Sequence, residues 1–216
     1  MQDVLVLNKG DNVGQILNEA KKYYDLGFGI HWLSPNSKRP VKPGWNLPER
    51  DNWETLIKEY KEGFGLGLRL GFPSRLKCGE YLAVIDVDIK GGLEKYESEV
   101  INTLDNHFQN LWANAPMVRT GLGYHIYLRT SRPFKSHEIA TSEETVKVYM
   151  PDEPINDKQR ALVDQRILTT AELESGFRGR PAWQIELMSE GKQVVLPPTL
   201  HPITKKPYEW VKGNPL

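Results

Sequence analysis

The sequence contains a single cysteine, Cys78, and no long hydrophobic run. One cysteine excludes an internal disulfide and any zinc site built on several cysteines of this chain, so we expect no zinc. A membrane-spanning helix needs about 18 or more consecutive apolar residues, and no such run is present. The first residues also lack the basic start and cleavage pattern of a secretory signal. These absences predict an intracellular, cytoplasmic protein with no membrane partner.

Net charge is absent as well, because 28 Lys and Arg balance 28 Asp and Glu among the 216 residues. A neutral chain does not bind nucleic acid through its overall charge. The charges are nevertheless segregated: bases outnumber acids in 27–77 and 116–135, and acids outnumber bases in 78–115 and 136–177. This distribution fits a basic groove beside an acidic centre, and it equally fits an ordinary solvated surface.

The composition that remains, 39% hydrophobic and 26% charged, is typical of a globular protein. The length suits one domain, 1–216, made of two joined lobes, and a monomer is the default expectation. Apolar spacing predicts helices that start at Asp11 or Asn12, at Asp51 with a Glu54 capping box, at Leu93, and after Thr169 or Thr170. Strands are predicted over 28–33, 66–70, 81–89, 117–120 and 124–129, with 182–189 and 193–196 as a closing hairpin. Helices and strands without strict alternation predict an α+β fold.

The segment Ile85-Asp86-Val87-Asp88-Ile89 lies in the clearest predicted strand. Side chains alternate along a strand, so Asp86 and Asp88 share one face. Two carboxylates in an apolar central strand are costly unless cations neutralise them, and oxygen ligands suit Mg²⁺ or Mn²⁺. Two such ions support phosphoryl transfer. The alternative is a strand end at which water solvates both aspartates.

Two further side chains are candidates for the same site. His125 follows Gly121-Leu122-Gly123-Tyr124 on a predicted strand, and glycines beside a histidine allow a bulky anion to approach the backbone. Glu186 lies in Trp183-Gln184-Ile185-Glu186-Leu187, on the face opposite the apolar residues. Taken singly, a structural histidine and a solvent-facing glutamate are the simpler interpretations.

Together, the acid pair, the histidine and the later acid resemble the three motifs of the archaeo-eukaryotic primase superfamily. The closer resemblance is to its bifunctional primase-polymerase domains of plasmids, phages and CRISPR-associated proteins. The flanking segments resemble that family too, and the resemblance covers roughly 27–210. They are Lys38-Arg39-Pro40 with Pro43-Gly44-Trp45, Gly67 to Gly71, Val118 to Gly121, VVLPPTLHP at 194–202, and Tyr208-Glu209-Trp210.

The chain departs from the family pattern in three places. The third acid is Glu186 where the subfamily usually has Asp, which keeps a metal ligand but lengthens its reach. Thr120-Gly121-Leu122-Gly123 stands where Ser-Gly-Gly is usual. The interval between His125 and Glu186 is long, so 136–179 is a candidate insertion with its own role.

The resemblance implies a primase catalytic core in which an N-terminal αβ unit packs on an RNA-recognition-like (RRM-like) unit with a mixed sheet. It implies that Asp86, Asp88 and Glu186 are catalytic and bind two Mg²⁺ or Mn²⁺ ions, and that His125 contacts the phosphates of the nucleotide. Nucleotide or template contacts are further assigned to four side chains: Lys38, Arg69, Arg119 and His201. The implied partners are single-stranded DNA template, a primer strand, dNTP or NTP, and a fused or separate helicase, CRISPR or replication protein.

Two other functions remain open on the sequence. A primase-like domain without activity would bind single-stranded DNA as a module of a replication complex. A sugar-nucleotide glycosyltransferase would also use Asp86 and Asp88 to hold Mn²⁺ and a diphosphate. That second function leaves His125, Glu186 and the segment 197–202 without a role.

Overall fold

The computed structural model describes residues 9–213. Helices and strands follow one another irregularly, which confirms the α+β class; the finer RRM-like arrangement stays a prediction. The helices are α1 (Lys9–Leu26), α2 (Trp53–Glu59), α3 (Leu93–Phe108), α4 (Leu111–Asn114), α5 (Asp157–Asp164) and α6 (Thr170–Glu174). The strands are β1 (Gly29–Leu33), β2 (Gly65–Arg69), β3 (Gly71–Arg75), β4 (Tyr81–Ile89), β5 (Met117–Arg119), β6 (Gly123–Thr130), β7 (His137–Thr141), β8 (Thr145–Tyr149), β9 (Phe177–Pro181), β10 (Trp183–Met188), β11 (Gln193–Val195) and β12 (Glu209–Lys212).

The strands form three sheets in which all the described strand pairs are antiparallel, so the mixed sheet that the resemblance implied is wrong. A three-stranded sheet has the order β1-β2-β11, and a two-stranded sheet pairs β8 with β9. The largest sheet has the order β12-β5-β6-β4-β10-β7, and β3 pairs with the first residues of β4. The most apolar predicted strand, β4, therefore lies at the centre of the large sheet, as expected for a strand that is covered on both faces.

The two faces of β4 enter different cores. Ile85, Val87 and Ile89 pack with α3 and with Trp183 and Ile185 of β10. On the other face, Leu82 and Val84 join the core that β1, β2, β11 and α1 supply. Asp86 and Asp88 continue this second face beyond its apolar part. Because side chains alternate along β4, the two carboxylates lie on the same face as Leu82 and Val84, just beyond the edge of this core.

Most of the predicted elements are confirmed, with three corrections at their connections. The predicted hairpin is wrong, because β10 pairs with β4 and β7 whereas β11 pairs with β2 in the other sheet. The second helix is capped by Asn52, whose side chain accepts from the Thr55 amide, and not by Asp51. Helix α1 already begins at Lys9, so Asp11 and Asn12 lie inside it.

Residues 136–179 contain β7, β8, α5 and α6 and most of β9. The predicted helix after Thr169 is confirmed, with Thr169 and Glu172 forming a reciprocal capping box. Buried Gln159 joins α5 to β9 through both the amide and the carbonyl of Gly179. The segment thus has its own packing, while β7 extends the large sheet beside β10. Among the described residues, no helix is both long enough and apolar enough to cross a membrane.

Candidate functional site

Three titratable side chains lie in one row across the large sheet. Asp86 at the centre of β4 is the register partner of His125 on β6 and of Glu186 on β10. Register partners in an antiparallel pair lie on the same face of the sheet. Asp88 lies two residues further along β4 on the same face, with Gly123 and Gln184 as its register partners. The fold therefore brings together the three motifs that the sequence singled out.

His125 is buried next to the first carboxylate. Its ring is 7% exposed, and its Nε2 lies 3.5 Å from Oδ1 of Asp86. Burial lowers the pKa of His125 to about 3, and the charge of Lys38 acts in the same direction. The ring is consequently neutral near pH 7, with one nitrogen able to donate a hydrogen bond and the other able to accept one.

The close approach of β6 to β4 requires a glycine at position 123, two residues before His125. A Cβ atom at position 123 would lie 1.8 Å from the carbonyl oxygen of Val87 on β4. The strand that carries His125 approaches β4 too closely for any side chain there. Gly123 thus sets the distance between His125 and the two aspartates.

Lysines neutralise two of the three carboxylates. The Lys90 ammonium group lies 2.8 Å from Asp88 Oδ2, and the Lys192 ammonium group lies 2.5 Å from Glu186 Oε1. Burial tends to raise the pKa of Asp88, but Lys90 outweighs it and the pKa is lowered. Neither lysine was singled out by the sequence, although each adjoins a predicted strand.

Asp86 is the carboxylate with the least compensation. Burial, followed by the charge of Asp88, raises the pKa of Asp86 to about 7, and Glu186 adds to the effect. Like charges gathered in a desolvated position favour a cation, and three carboxylates provide the hard oxygen ligands that Mg²⁺ and Mn²⁺ take. Within residues 9–213 no three His, Cys, Asp or Glu side chains are yet close enough to hold an ion. The donor chemistry is that of a divalent-cation site, and the ammonium group of Lys192 occupies Glu186 in this arrangement.

His201, on the segment between β11 and β12, is also near the row. Tyr208 lies between the two histidines, with ring centroids 5.7 Å from His125 and 5.9 Å from His201. His201 Nδ1 accepts from the amides of Ile203 and Thr204 at 3.3 and 3.2 Å. Burial, and then Lys38, lowers its pKa to about 4. Tyr208 was quoted in the sequence only as part of a resemblance, and its position between the rings comes from the structure alone.

The three basic candidates occupy different places. Lys38 is exposed, and its charge acts on both Asp86 and Asp88. Arg69 is 4% exposed on β2 and lies 3.3 Å from a carboxylate oxygen of Asp51. Arg119 pairs with Tyr124 and lines the groove on the α3 side, the face opposite to the row. The structure therefore places Lys38 within electrostatic reach of Asp86 and Asp88 and does not bring Arg119 there.

Comparison with protein families gives a match over most of the chain. The family model described as bifunctional DNA primase/polymerase, N-terminal, matches residues 20–216. Among curated proteins, none matches the chain. The match covers β4, β6 and β10, and so includes all three strands of the row.

Proposed function

Because the chain belongs to the bifunctional DNA primase/polymerase family, we propose that it synthesises and extends primers on a single-stranded DNA template from nucleoside triphosphates. The family points to nucleotidyl transfer in general. The observation that carries the finer proposal is the row of His125, Asp86 and Glu186 across three paired strands. Such a row offers carboxylate oxygens to cations and a histidine ring to phosphates.

Asp86, Asp88 and Glu186 are the proposed ligands of two divalent ions. Bound there, Mg²⁺ or Mn²⁺ would activate the attacking hydroxyl group and stabilise the charge of the leaving phosphates. The protein's own contribution is to hold the three oxygen donors on one face. The raised pKa of Asp86 supports this role, since burial and neighbouring acids leave that carboxylate in need of positive charge.

His125 and Lys38 are the proposed phosphate contacts. Neutral His125 can donate one hydrogen bond to a phosphate oxygen and remains buried, which keeps its ring fixed against Tyr208. Lys38 supplies the positive charge on the exposed side of the row. His201, whose Nδ1 is occupied by backbone amides, is proposed to support the triphosphate site from the other side of Tyr208.

The test is nucleotide incorporation by the purified protein. Single-stranded DNA, labelled dNTP or NTP and Mn²⁺ are supplied with and without an annealed primer, and Asp86→Ala/Asp88→Ala is assayed in parallel. We expect template-dependent products that disappear in the double variant. The lane without primer decides whether the protein also starts chains.

A matched control keeps the interpretation specific. Glu94→Ala/Glu97→Ala removes two acids from α3, on the far side of the sheet, and is expected to leave incorporation unchanged. Wild-type protein that binds the template but forms no product with or without primer would overturn the catalytic proposal. The chain would then be a DNA-binding module.

A further inference from the structure

A cluster of buried polar side chains lies on the three-stranded sheet, beside the carboxylate row. His31 on β1, Arg69 on β2 and Gln193 on β11 share one face, because Arg69 is the register partner of Gln193 and lies two residues from the partner of His31. His31 and Arg69 are 5% and 4% exposed. Gln193 follows Lys192, whose ammonium group contacts Glu186. The cluster is thus connected through the backbone to the lysine that pairs with Glu186.

The polar atoms of this cluster are largely unsatisfied. Within the described part of the chain, no hydrogen-bond partner exists for either ring nitrogen of His31, for Nε of Arg69, or for Oε1 of Gln193. Nη2 of Arg69 has only its ion pair with Asp51 at 3.3 Å. Gln193 lies near enough to His31 to oppose its pKa shift, yet the pair lacks hydrogen-bond geometry. An unpaired buried polar group costs about 1–3 kcal/mol. Several such groups on three neighbouring strands therefore indicate a place for a polar ligand.

Trp45 covers the cluster, but its indole gives no hydrogen-bond partner to the cluster's polar atoms. Its indole stacks on His31 with ring centroids 5.9 Å apart and an interplanar angle of 16°. Its backbone carbonyl accepts from Nη1 of Arg69 at 3.3 Å. An indole has a π face, one N–H donor and no acceptor, so it offers nothing to the remaining donors of Arg69.

The loop that carries Trp45 is largely exposed, and its attachments do not involve the indole ring. Residues 41–44 and 46–49 on either side of the indole are exposed. Hydrogen bonds hold the loop from the Gln193 amide to the Lys38 carbonyl and from the Val41 amide to the Trp32 carbonyl, both at 3.0 Å, and from Arg69 to the Trp45 carbonyl. Lys42 adds ion pairs with Asp51 and Glu59 at 2.9 and 3.2 Å. None of these contacts involves the indole ring, so the ring can leave His31 while they persist.

We propose that His31, Arg69 and Gln193 form a nucleobase subsite and that Trp45 is its built-in competitor. A base replaces the indole on His31, and its polar edge pairs with Arg69 and Gln193. A nucleobase has the same kind of π face as the indole and adds the acceptors and donors that the cluster lacks. Burial, with the charge of Arg69, lowers the pKa of His31 to about 3, so the ring presents one donor and one acceptor near pH 7.

The inference rests on the proposed function only for the class of substrate. An incoming nucleoside triphosphate and a template base carry the same chemistry, so the experiment has one arm for each. In the first arm, a nucleoside triphosphate with a non-hydrolysable α,β linkage is compared with inorganic tripolyphosphate. In the second, a single-stranded oligonucleotide is compared with an abasic strand of equal length. Dissociation constants are measured with Mg²⁺ for the full chain.

Trp45→Ala is expected to tighten binding of a base-bearing ligand by about three- to tenfold, the equivalent of one aromatic stack, and to leave the baseless ligands unchanged. The arm that gains affinity identifies the source of the base. Gln193→Leu, milder than a change at buried Arg69, is expected to weaken the same ligand about tenfold. Trp112→Ala, on α4 behind the large sheet, controls for loss of a tryptophan.

Equal effects on base-bearing and baseless ligands would overturn the subsite, as would weaker base binding by Trp45→Ala, since the indole would then be the stacking platform itself. The result is separable from catalysis. If the protein incorporates nucleotides but Trp45→Ala has no base-dependent effect, only the subsite is refuted. If binding depends on the base but the protein incorporates nothing, only the catalytic proposal is refuted.

Discussion

Asp86 and Glu186 occupy the same register position on neighbouring antiparallel strands, although they lie far apart in the sequence. Their carboxylates consequently emerge from one face of the sheet. Burial comes first among the causes that raise the pKa of Asp86 to about 7, and the charges of Asp88 and Glu186 act in the same direction. At a pH where all three are ionised and no cation is bound, this arrangement lowers the stability of the folded protein.

The first prediction concerns the stability of the metal-free protein. Asp86→Asn should raise its melting temperature, because an amide removes the charge that burial and the neighbouring acids disfavour. A gain of about 1–2 kcal/mol corresponds to roughly 2–8 °C for a domain of this size. Thermal unfolding at pH 8 with a chelator provides the measurement. Mn²⁺ should then stabilise wild type more than the variant, which reverses the order.

Asp152→Asn is the matched control, since Asp152 is an exposed acid in a turn; it should change neither the melting temperature nor the response to Mn²⁺. A less stable Asp86→Asn protein in chelator would contradict the prediction. It would mean that Asp86 is held by favourable contacts instead of being strained by its neighbours.

The second prediction treats Lys192 as a competitor of the proposed cations. Its ammonium group lies 2.5 Å from Glu186, so a metal at Glu186 must displace it. Lys192→Met should therefore tighten Mn²⁺ binding by about three- to fivefold, the effect of losing one partly exposed ion pair. The free Mn²⁺ signal in electron paramagnetic resonance gives the affinity directly, independently of activity.

Lys147→Met is the matched control for this experiment. Lys147 forms a similar pair with Glu172 at 2.6 Å, with side-chain exposure of 44% against 42% for Lys192. Lys147 lies on β8, in the two-stranded sheet, and its replacement should leave Mn²⁺ affinity unchanged. Weaker Mn²⁺ binding by Lys192→Met would show that Lys192 organises Glu186 for the ion, contrary to the prediction.

The third prediction concerns the approach of β6 to β4. Gly123→Ala inserts a Cβ atom 1.8 Å from the Val87 carbonyl, so the two strands must separate. We expect the free energy of unfolding to fall by about 1–3 kcal/mol, as at other overpacked sites, with loss of nucleotide binding. Urea unfolding measures the first effect and titration the second.

Gly14→Ala tests the same substitution where space is open. A Cβ atom at position 14 of α1 meets nothing within 4 Å, and alanine in a helix is favoured over glycine by about 0.5–1 kcal/mol. This variant should be slightly more stable than wild type. Should Gly123→Ala unfold at the same urea concentration as wild type, the close contact between β6 and β4 would be wrong.

The sequence predicted β4, β6 and β10 well because the signals of these strands are local. The alternation of Ile85 to Ile89 determines which face carries Asp86 and Asp88, and the bounds of β4 follow from its apolar run. A helix start was likewise predicted after Thr169 or Thr170, and the structure places it after Thr169, where Thr169 and Glu172 form a capping box across three residues. Such features depend on neighbours within one element, which a single sequence displays.

Partners from distant segments could not be predicted in this way. The hairpin proposed for β10 and β11 was wrong because turn residues indicate a change of direction and not the sheet that each strand joins. Arg119 looked suitable by type, but strand register turns it to the α3 face. The stack of Trp45 on His31 and the position of Tyr208 between two histidines depend on how separate segments pack.

The fourth prediction distinguishes two basic residues that the sequence treated alike. Lys38→Ala should weaken binding of a non-hydrolysable nucleoside triphosphate by about tenfold or more, the loss expected for one charged contact, because Lys38 lies where its charge reaches Asp86 and Asp88. Arg119→Ala should stay near wild type, since Arg119 lines the groove on the other face. Both are measured by calorimetric titration, and equal losses in the two variants would refute the division between the faces.

The last prediction is a pH dependence that arises from His31. Its pKa is lowered to about 3, mainly by burial, whereas the unfolded chain takes up the proton near pH 6.5. Between these values the unfolded state binds more protons, so the stability of the folded state falls as the pH decreases, by about 1.4 kcal/mol per unit. His31→Phe keeps an aromatic ring under Trp45 and removes the titration. From pH 7 to pH 5, wild type should therefore lose about 2 kcal/mol more than the variant in urea unfolding, while exposed His137→Phe should follow wild type. Parallel losses in wild type and His31→Phe would mean that His31 accepts a proton in the folded state, and that its ring is not held neutral beneath the indole.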